Sequence, residues 1–380
     1  MRIALVGRRF DPAGGGTERD LIRTARLLTA ASHIVTIYAA ESRGAETELP
    51  VRAVRAPGIS RTLRLLSFAA RAGIAARRDG ADLVLSFARI AHADILRSGG
   101  SAHSSFVAAA GRWQGPFARA AMRLSPYHRA QMRIERRGFE STALRLAVAV
   151  SERVRGDLIA TFGLRAEKAV TLYNGVDAAR FRPHACQQIR TATRHQWGVP
   201  EQAPLVAFVG NGFARKGLRF LLEAWPAVGA GACLLVAGSD QATARYRRLS
   251  ATLGVADRIR FVGAQDQIER VFAAADACAL PSLFEPFGNV VLEAMAAGLP
   301  VLCSRACGVA EILPAAMREY VVDDPTNIDE LATRLNSLLS GSREDLGRSA
   351  RAAAERFTWK DYGVRLCGLL ESVAQAGVAL

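Results

Sequence analysis

Short runs of apolar residues alternate along this chain with longer stretches of helical period, and glycine, proline or a polar turn closes most of the runs. Arg2 to Gly7 predicts a first strand, followed by a glycine turn at 14–16 and a helix from Thr17 to Ala31. Further strands are predicted at 34–39, 81–86 and 147–151. The same order then recurs: a strand over 204–210, a helix over 216–226, strands at 233–237, 259–262 and 277–280, a helix over 289–297 and a short strand at 300–303. Strands and helices alternating in this way predict parallel sheets covered by helices, an α/β architecture of two doubly wound domains in tandem. The periodic pattern lapses between Phe181-Arg182-Pro183 and Val199-Pro200. The expected layout is therefore a first domain over 1–183, a linker over 184–200 and a second domain over 201–360. A closing segment over 361–380 reads as an amphipathic helix from about 362 to 378.

A length of 380 residues agrees with two domains. Half of the chain is hydrophobic and 22% is charged, the make-up of a globular protein with large cores and not of a disordered one. No run of 18 apolar residues occurs, so no spanning helix is expected. The N-terminus passes from a charged residue straight into a strand, unlike a secretory signal, and the expected location is cytoplasmic. Cys186, Cys233, Cys278, Cys303, Cys307 and Cys367 lack zinc-ligand spacing and are expected to be reduced thiols.

The formal charge of +15 changes the picture once it is divided along the chain. Residues 1–183 hold 30 Arg or Lys against 15 Asp or Glu, whereas residues 184–380 hold 20 of each. A basic half beside a neutral one fits an anionic partner that touches one domain, nucleic acid or an acidic membrane leaflet; a compositional bias toward arginine fits as well. No helix-turn-helix, RRM or zinc pattern accompanies the charge, which sets nucleic acid aside. Two segments of this half, 61–78 and 117–137, combine arginines with Leu63, Leu66, Phe68 and Ile74, and with Phe117, Met122, Leu124, Tyr127 and Met132. Such helices suit an acidic bilayer surface and suit ordinary packing on a sheet equally.

Three segments carry candidate chemistry. Gly14-Gly15-Gly16-Thr17-Glu18-Arg19 follows the first strand, where glycine lets backbone approach a ligand and a helix start presents amides to an anion. It matches neither the dinucleotide fingerprint nor a P-loop. Gly210-Asn211-Gly212-Phe213-Ala214-Arg215-Lys216 sets two cations at the carboxyl end of a strand, the place where open α/β sheets bind ligands. Placed at the start of a helix over 216–226, the two would oppose its dipole, which favours a ligand role such as holding a diphosphate. Glu285-Pro286-Phe287-Gly288-Asn289-Val290-Val291-Leu292-Glu293 brings two carboxylates within reach of one ligand, one from a loop and one from a helix. Carboxylates accept hydrogen bonds from sugar or ribose hydroxyls.

These motifs, in this order, resemble the GT-B retaining glycosyltransferases of family 4. The resemblance rests on the Glu, seven residues, Glu signature at Glu285 and Glu293, the basic pair Arg215 and Lys216, the glycine loop, and Tyr173-Asn174-Gly175-Val176-Asp177, and it covers nearly the whole chain. It implies a GT-B fold of two Rossmann-like domains whose last helix crosses back onto the first. The second domain would bind a nucleotide-sugar donor such as a UDP-hexose, UDP-glucose foremost, and the first an acceptor. Lys216, Arg215, Glu285 and His103 would be catalytic. Gly15, Gly16, Arg215, Lys216, Phe287, Gly288, Asn289, Val290 and Glu293 would hold the donor. Neither a catalytic metal nor another cofactor is implied, and transfer would proceed by front-face attack with a diphosphate oxygen taking the acceptor proton. Asp94 to His103 resembles a subgroup that glucosylates the inner core of lipopolysaccharide, with Gly100 where the subgroup carries an acid. A lipid-linked saccharide acceptor and a peripheral place at the inner face of the cytoplasmic membrane follow as expectations. Mannosyl or glucosyl transfer to another glycolipid, capsule or exopolysaccharide precursor is the alternative, and a sugar-binding protein without catalysis is a further one.

Overall fold

The computed structural model describes residues 1–43, 48–183 and 187–376. The chain divides into two compact units, Met1–Tyr173 with Lys360–Leu380, and Asn174–Trp359. Strands of the first unit are β1 (Arg2–Val6), β2 (Arg9–Phe10), β3 (Ile34–Ala39), β4 (Glu41–Ser42), β5 (Val51–Ala53), β6 (Leu83–Ser86), β7 (Ile95–Ser98), β8 (Leu146–Ala149) and β9 (Ala169–Thr171). A parallel sheet runs β5-β3-β1-β6-β7-β8-β9, and β2 and β4 form a separate short ladder. Nearly every residue of β1, β6 and β8 is buried, as a parallel sheet covered on both faces requires. The closing helix Trp359–Ala376 belongs, from Lys360 on, to this unit. It buries Tyr362, Leu366 and Leu370, one residue per turn, and Gly363 lies against Leu27.

The two basic segments behave differently. Helix Arg61–Arg78 buries Leu65, Phe68, Ala69, Ala72 and Ala76, but leaves Leu63 and Ile74 of the expected stripe exposed. The segment 117–137 is two helices, Pro116–Leu124 and Pro126–Phe139, because Pro126 has no N–H to continue a ladder and holds Ser125 extended. The first buries none of its residues, while the second packs Ala130 and Ile134 against Leu65 and Ala69.

The second unit holds β10 (Leu205–Val209), β11 (Cys233–Ala237), β12 (Ile259–Gly263), β13 (Ala277–Leu280), β14 (Val301–Ser304) and β15 (Val321–Val322), in the parallel order β12-β11-β10-β13-β14-β15. In both main sheets the first strand lies inside the sheet. The chain moves from it to one edge and then crosses to its other side, which creates a switch point at the strands' carboxyl ends.

The division falls after Tyr173, ten residues before the lapse in the pattern. Val176 bridges Thr358, and the Phe181 ring meets Phe272 edge-on at 5.9 Å, so these residues pack with the second unit. Of the expected linker, residues 184–186 lie outside the described residues, and from Gln187 the chain forms helix Gln187–Gln196 of the same unit. Arginines dock it. Buried Arg194 donates to the carbonyls of Pro200, Glu201, Ala203 and Ala274 and to Asp276, which Arg190 also pairs. A helix anchored through cations shows no apolar stripe, which is why its sequence reads as a lapse.

The expected helix over 216–226 is interrupted at Gly217, whose φ of +80° suits glycine and whose side-chain position lies 1.9 Å from the Pro281 carbonyl oxygen. Gly217→Ala is therefore expected to lower the stability of the second unit by about 3 kcal/mol, measured by urea unfolding. An unchanged transition would show that the Pro281 loop gives way freely.

Candidate functional site

Neighbouring strands β10 and β13 of the second unit deliver two loops to one place. After β10, Gly210 (φ +134°) leaves room for the Lys216 stem, since a side chain there would lie 2.5 Å from Lys216 Cε. The turn Phe213–Lys216 is anchored by buried Phe213, edge-on to Phe208 at 5.8 Å and to Tyr246 at 5.6 Å, and by its N–H on Asp240. After β13, the Leu283 N–H donates to the Arg215 carbonyl at 2.8 Å and ties the loops together. Glu285 is fixed through its backbone: its N–H donates to Ala306 and its carbonyl accepts from Gly308.

Within this frame Glu285 Oε2 accepts from Lys216 Nζ at 2.8 Å and from Arg215 Nη1 at 3.0 Å, and Arg215 also donates to the Phe284 carbonyl. The side chains of Glu285 and Lys216 are 14% and 10% exposed, so water screens the contact little. Burial pushes the Glu285 carboxyl up, but the charges and hydrogen bonds of Lys216 and Arg215 outweigh it and hold it at about 2. The site thus has one carboxylate facing two cations at a switch point. The dipole argument for the pair falls away, because Arg215 and Lys216 close a one-turn helix that Gly217 ends, and cations at that end are favourable.

Phe287 is buried and Gly288 (φ +103°) caps helix Asn289–Ala296 without a side-chain cap, which leaves the first-turn amides at Asn289 and Val290 to face outward from the helix start. Glu293 lies one turn further on, half-buried. Buried Asn174 donates from Nδ2 to Asn289 Oδ1 at 2.8 Å. Asn174 belongs to the Tyr173–Asp177 segment of the resemblance, which implied no role for it by itself. Behind the Glu285 loop lie the buried thiols of Cys278, Cys303 and Cys307, and burial pushes Cys278 up to about 12. Cys233, Cys278, Cys303, Cys307 and Cys367 are free thiols, and Cys186 lies outside the described residues. Among the described residues no cluster of three or more His, Cys, Asp or Glu is placed to hold a metal ion.

The remaining sequence-predicted residues lie in the first unit. Gly15 caps helix Gly16–Ala30 with no side-chain bond, and Gly16 is its first residue. Thr17 and Glu18 line a cavity of about 330 Å³ at the carboxyl ends of β1, β6 and β7, together with Arg8, Ser98, Gly100 and Gln131. His103 does not line it. It is 5% exposed, its N–H donates to Glu135 Oε2, and its Nε2 lies 2.8 Å from Nδ1 of His128, with the rings stacked. Burial, then Arg89 and His128, pull His103 down to about 4, so it is neutral at pH 7. Its partner His128 lies on helix Pro126–Phe139. Asp94, at the head of the same segment, pairs with Arg77 and accepts from the Val84 N–H, a structural pin.

Two doubly wound parallel units, the second closing on a cationic and acidic loop pair, define the chain as a GT-B fold protein. Residues 14–180 match the family model described as Glycosyltransferase Family 4 and residues 189–355 the one described as Glycosyl transferases group 1, so the chain belongs to the glycosyltransferases built from these two domains. It is 26% identical to the lipopolysaccharide glucosyltransferase WaaG of Escherichia coli over 86% of this chain and 87% of that one. Among solved structures it is similar to WaaG, a glycosyltransferase involved in lipopolysaccharide biosynthesis (TM-score 0.80, 23% identity, 97% of this chain and 99% of that one). It is also similar to Anabaena Alr3699/HepE in complex with UDP and glucose (TM-score 0.75, 19% identity, 98% and 100%). The chain spans about half the length of several other curated glycosyltransferases that it matches at 30 to 33% identity.

Proposed function

We propose that this protein is a retaining glycosyltransferase that moves glucose from UDP-glucose to a lipid-linked saccharide such as the inner core of lipopolysaccharide. The observation that carries the reading is the Lys216–Glu285–Arg215 cluster at the switch point of the second unit. On this reading the cations stabilise the departing diphosphate, Glu285 steadies the positive character developing at the anomeric carbon, and the helix start at Asn289 holds donor hydroxyls. Glu293 takes the ribose, and the first unit takes the acceptor. A diphosphate oxygen accepts the acceptor's proton, so no side-chain base and no metal is required. The glucose and lipopolysaccharide parts draw support from the names of the relatives, WaaG above all. Labelled UDP-glucose offered with a panel of core saccharides tests the reading. The product should keep the donor's α-configuration, visible as a small anomeric coupling in proton NMR, and an inverted product would overturn retention.

A peripheral membrane location belongs to the same proposal. Helix Pro116–Leu124 buries nothing, exposes Phe117 at 90% and Leu124 at 75%, and carries Arg119 and Arg123. No helix among the described residues is long and apolar enough to cross a membrane. Phe117→Ser with Leu124→Ser is expected to cut flotation with phosphatidylglycerol vesicles at least fivefold, since apolar insertion and charge act together. Equal flotation by the double variant would remove this helix from the proposal.

A further inference from the structure

Helix Pro126–Phe139 turns Tyr127, Gln131 and Glu135 to one face at i, i+4 and i+8. The two outer members of this row are occupied. Glu135 accepts from Arg89 Nε at 2.8 Å through one oxygen and from the His103 N–H at 2.7 Å through the other. The Tyr127 hydroxyl accepts from Arg8 Nη1 at 3.0 Å, while the Arg61 guanidinium lies 4.1 Å over its ring. Gln131, between them, is 9% exposed and lines the cavity of the first unit, yet no hydrogen bond to its carboxamide is made by any described residue. The carboxamide therefore opens into the cavity, where a ligand's hydroxyl can meet it as donor or acceptor.

The charges around the cavity single out one cation. Arg97 is matched by Asp20, Arg89 by Glu135 and Arg9 by Glu41. Arg8 also lines the cavity, and among the described residues no carboxylate pairs with it; its one side-chain contact is the neutral Tyr127 hydroxyl, which orients the guanidinium without neutralising it. Glu18 is the remaining carboxylate of the wall, likewise without an ion pair among the described residues, and is suited to accept from a hydroxyl.

We infer that the acceptor bound by the first unit carries an anionic substituent, a phosphate or a carboxylate on its sugar, which Arg8 holds while Gln131 hydrogen-bonds a hydroxyl beside it. The inference rests on the reading that the first unit takes the acceptor, and it adds the acceptor's chemical class. An oriented guanidinium meets either anion with two parallel hydrogen bonds.

Ligand-observed NMR with the full chain provides the test, using glucose 6-phosphate, glucuronate and glucose as probes and saturating UDP to keep phosphate away from Lys216 and Arg215. At least one anionic sugar should bind ten or more times tighter than glucose, and which one does so distinguishes phosphate from carboxylate. Arg8→Gln should abolish the preference, a loss of about tenfold or more. Gln131→Met, of similar length without the amide, should weaken all three sugars severalfold and keep the preference. Equal binding of charged and neutral sugars, a preference that survives Arg8→Gln, or no binding by any of the three would overturn the inference while UDP still binds. Failure of UDP itself to bind the wild-type chain would overturn the donor reading, and this inference with it.

Discussion

Lys216→Ala is expected to lower transfer from UDP-glucose by about 10²- to 10³-fold in kcat, the usual consequence of deleting one preorganised charge at the atom where negative charge develops. Lys216 is suited to that part because its stem is held in place. It lies across Gly210, its side chain is 10% exposed, and Nζ is set 2.8 Å from Glu285. Substrate binding should suffer less than turnover, since Arg215 remains to attract a diphosphate and the charge on the leaving oxygen is largest in the transition state. Folding should survive, because Glu285 keeps Arg215 and the Phe284 to Glu285 backbone is anchored independently of the lysine. Lys216→Arg keeps the charge but brings a planar fork to a space shaped for a straight stem, so it should restore stability more than turnover. Steady-state rates with labelled donor, read beside donor hydrolysis without acceptor, check all three points. A Lys216→Ala enzyme within twofold of wild type would reduce the lysine to a structural partner of Glu285.

The loops that carry Arg215, Lys216 and Glu285 were legible in the sequence because they are punctuated. Gly210, Gly212, Pro281, Pro286 and Gly288 mark loops at strand ends, and charged residues inside such loops stand out against buried strands. What the sequence could not carry is which charges meet. Arg215 and Lys216 are adjacent in sequence to a predicted helix start, yet Gly217 makes them the end of a separate turn, a consequence of the Pro281 carbonyl crowding that position. His103 shows the opposite failure. Its segment resembles a functional one, but burial, then Arg89 and the His128 ring, decide its protonation, and His128 lies on a helix 25 residues away. Gln131 has no sequence signal at all, since a glutamine in an arginine-rich helix looks like surface until the cavity appears beside it. The helix Gln187–Gln196 reads as linker for a related reason: it is docked by arginines on carbonyls, and hydrophobic periodicity does not see such contacts.

Replacing Glu285 by glutamine separates the two services this residue performs, because the substitution keeps its shape and removes its charge. The wild-type carboxyl is held at about 2, below its ordinary 4.5, so it favours the folded state fully at pH values above about 4.5 and loses that contribution as pH falls from there through 2. A depression of that size corresponds to about 3 kcal/mol as an upper bound. Glu285→Gln should therefore be less stable than wild type by up to about 3 kcal/mol at pH 7, and the difference should shrink steadily below pH 4.5, where the wild-type carboxylate itself becomes neutral. Urea unfolding at a series of pH values reads this directly, and a difference independent of pH would mean that the ion pairs contribute nothing net. The same variant leaves Lys216 and Arg215 without their carboxylate, so the two cations are freer to take a diphosphate. UDP should then bind tighter by about tenfold, while transfer falls by about 10²-fold for want of a negative group beside the anomeric carbon. Tighter product with slower chemistry is a pattern that unfolding cannot imitate. Loss of UDP binding and turnover together would instead mean that Glu285 acts only by holding the two cations in place.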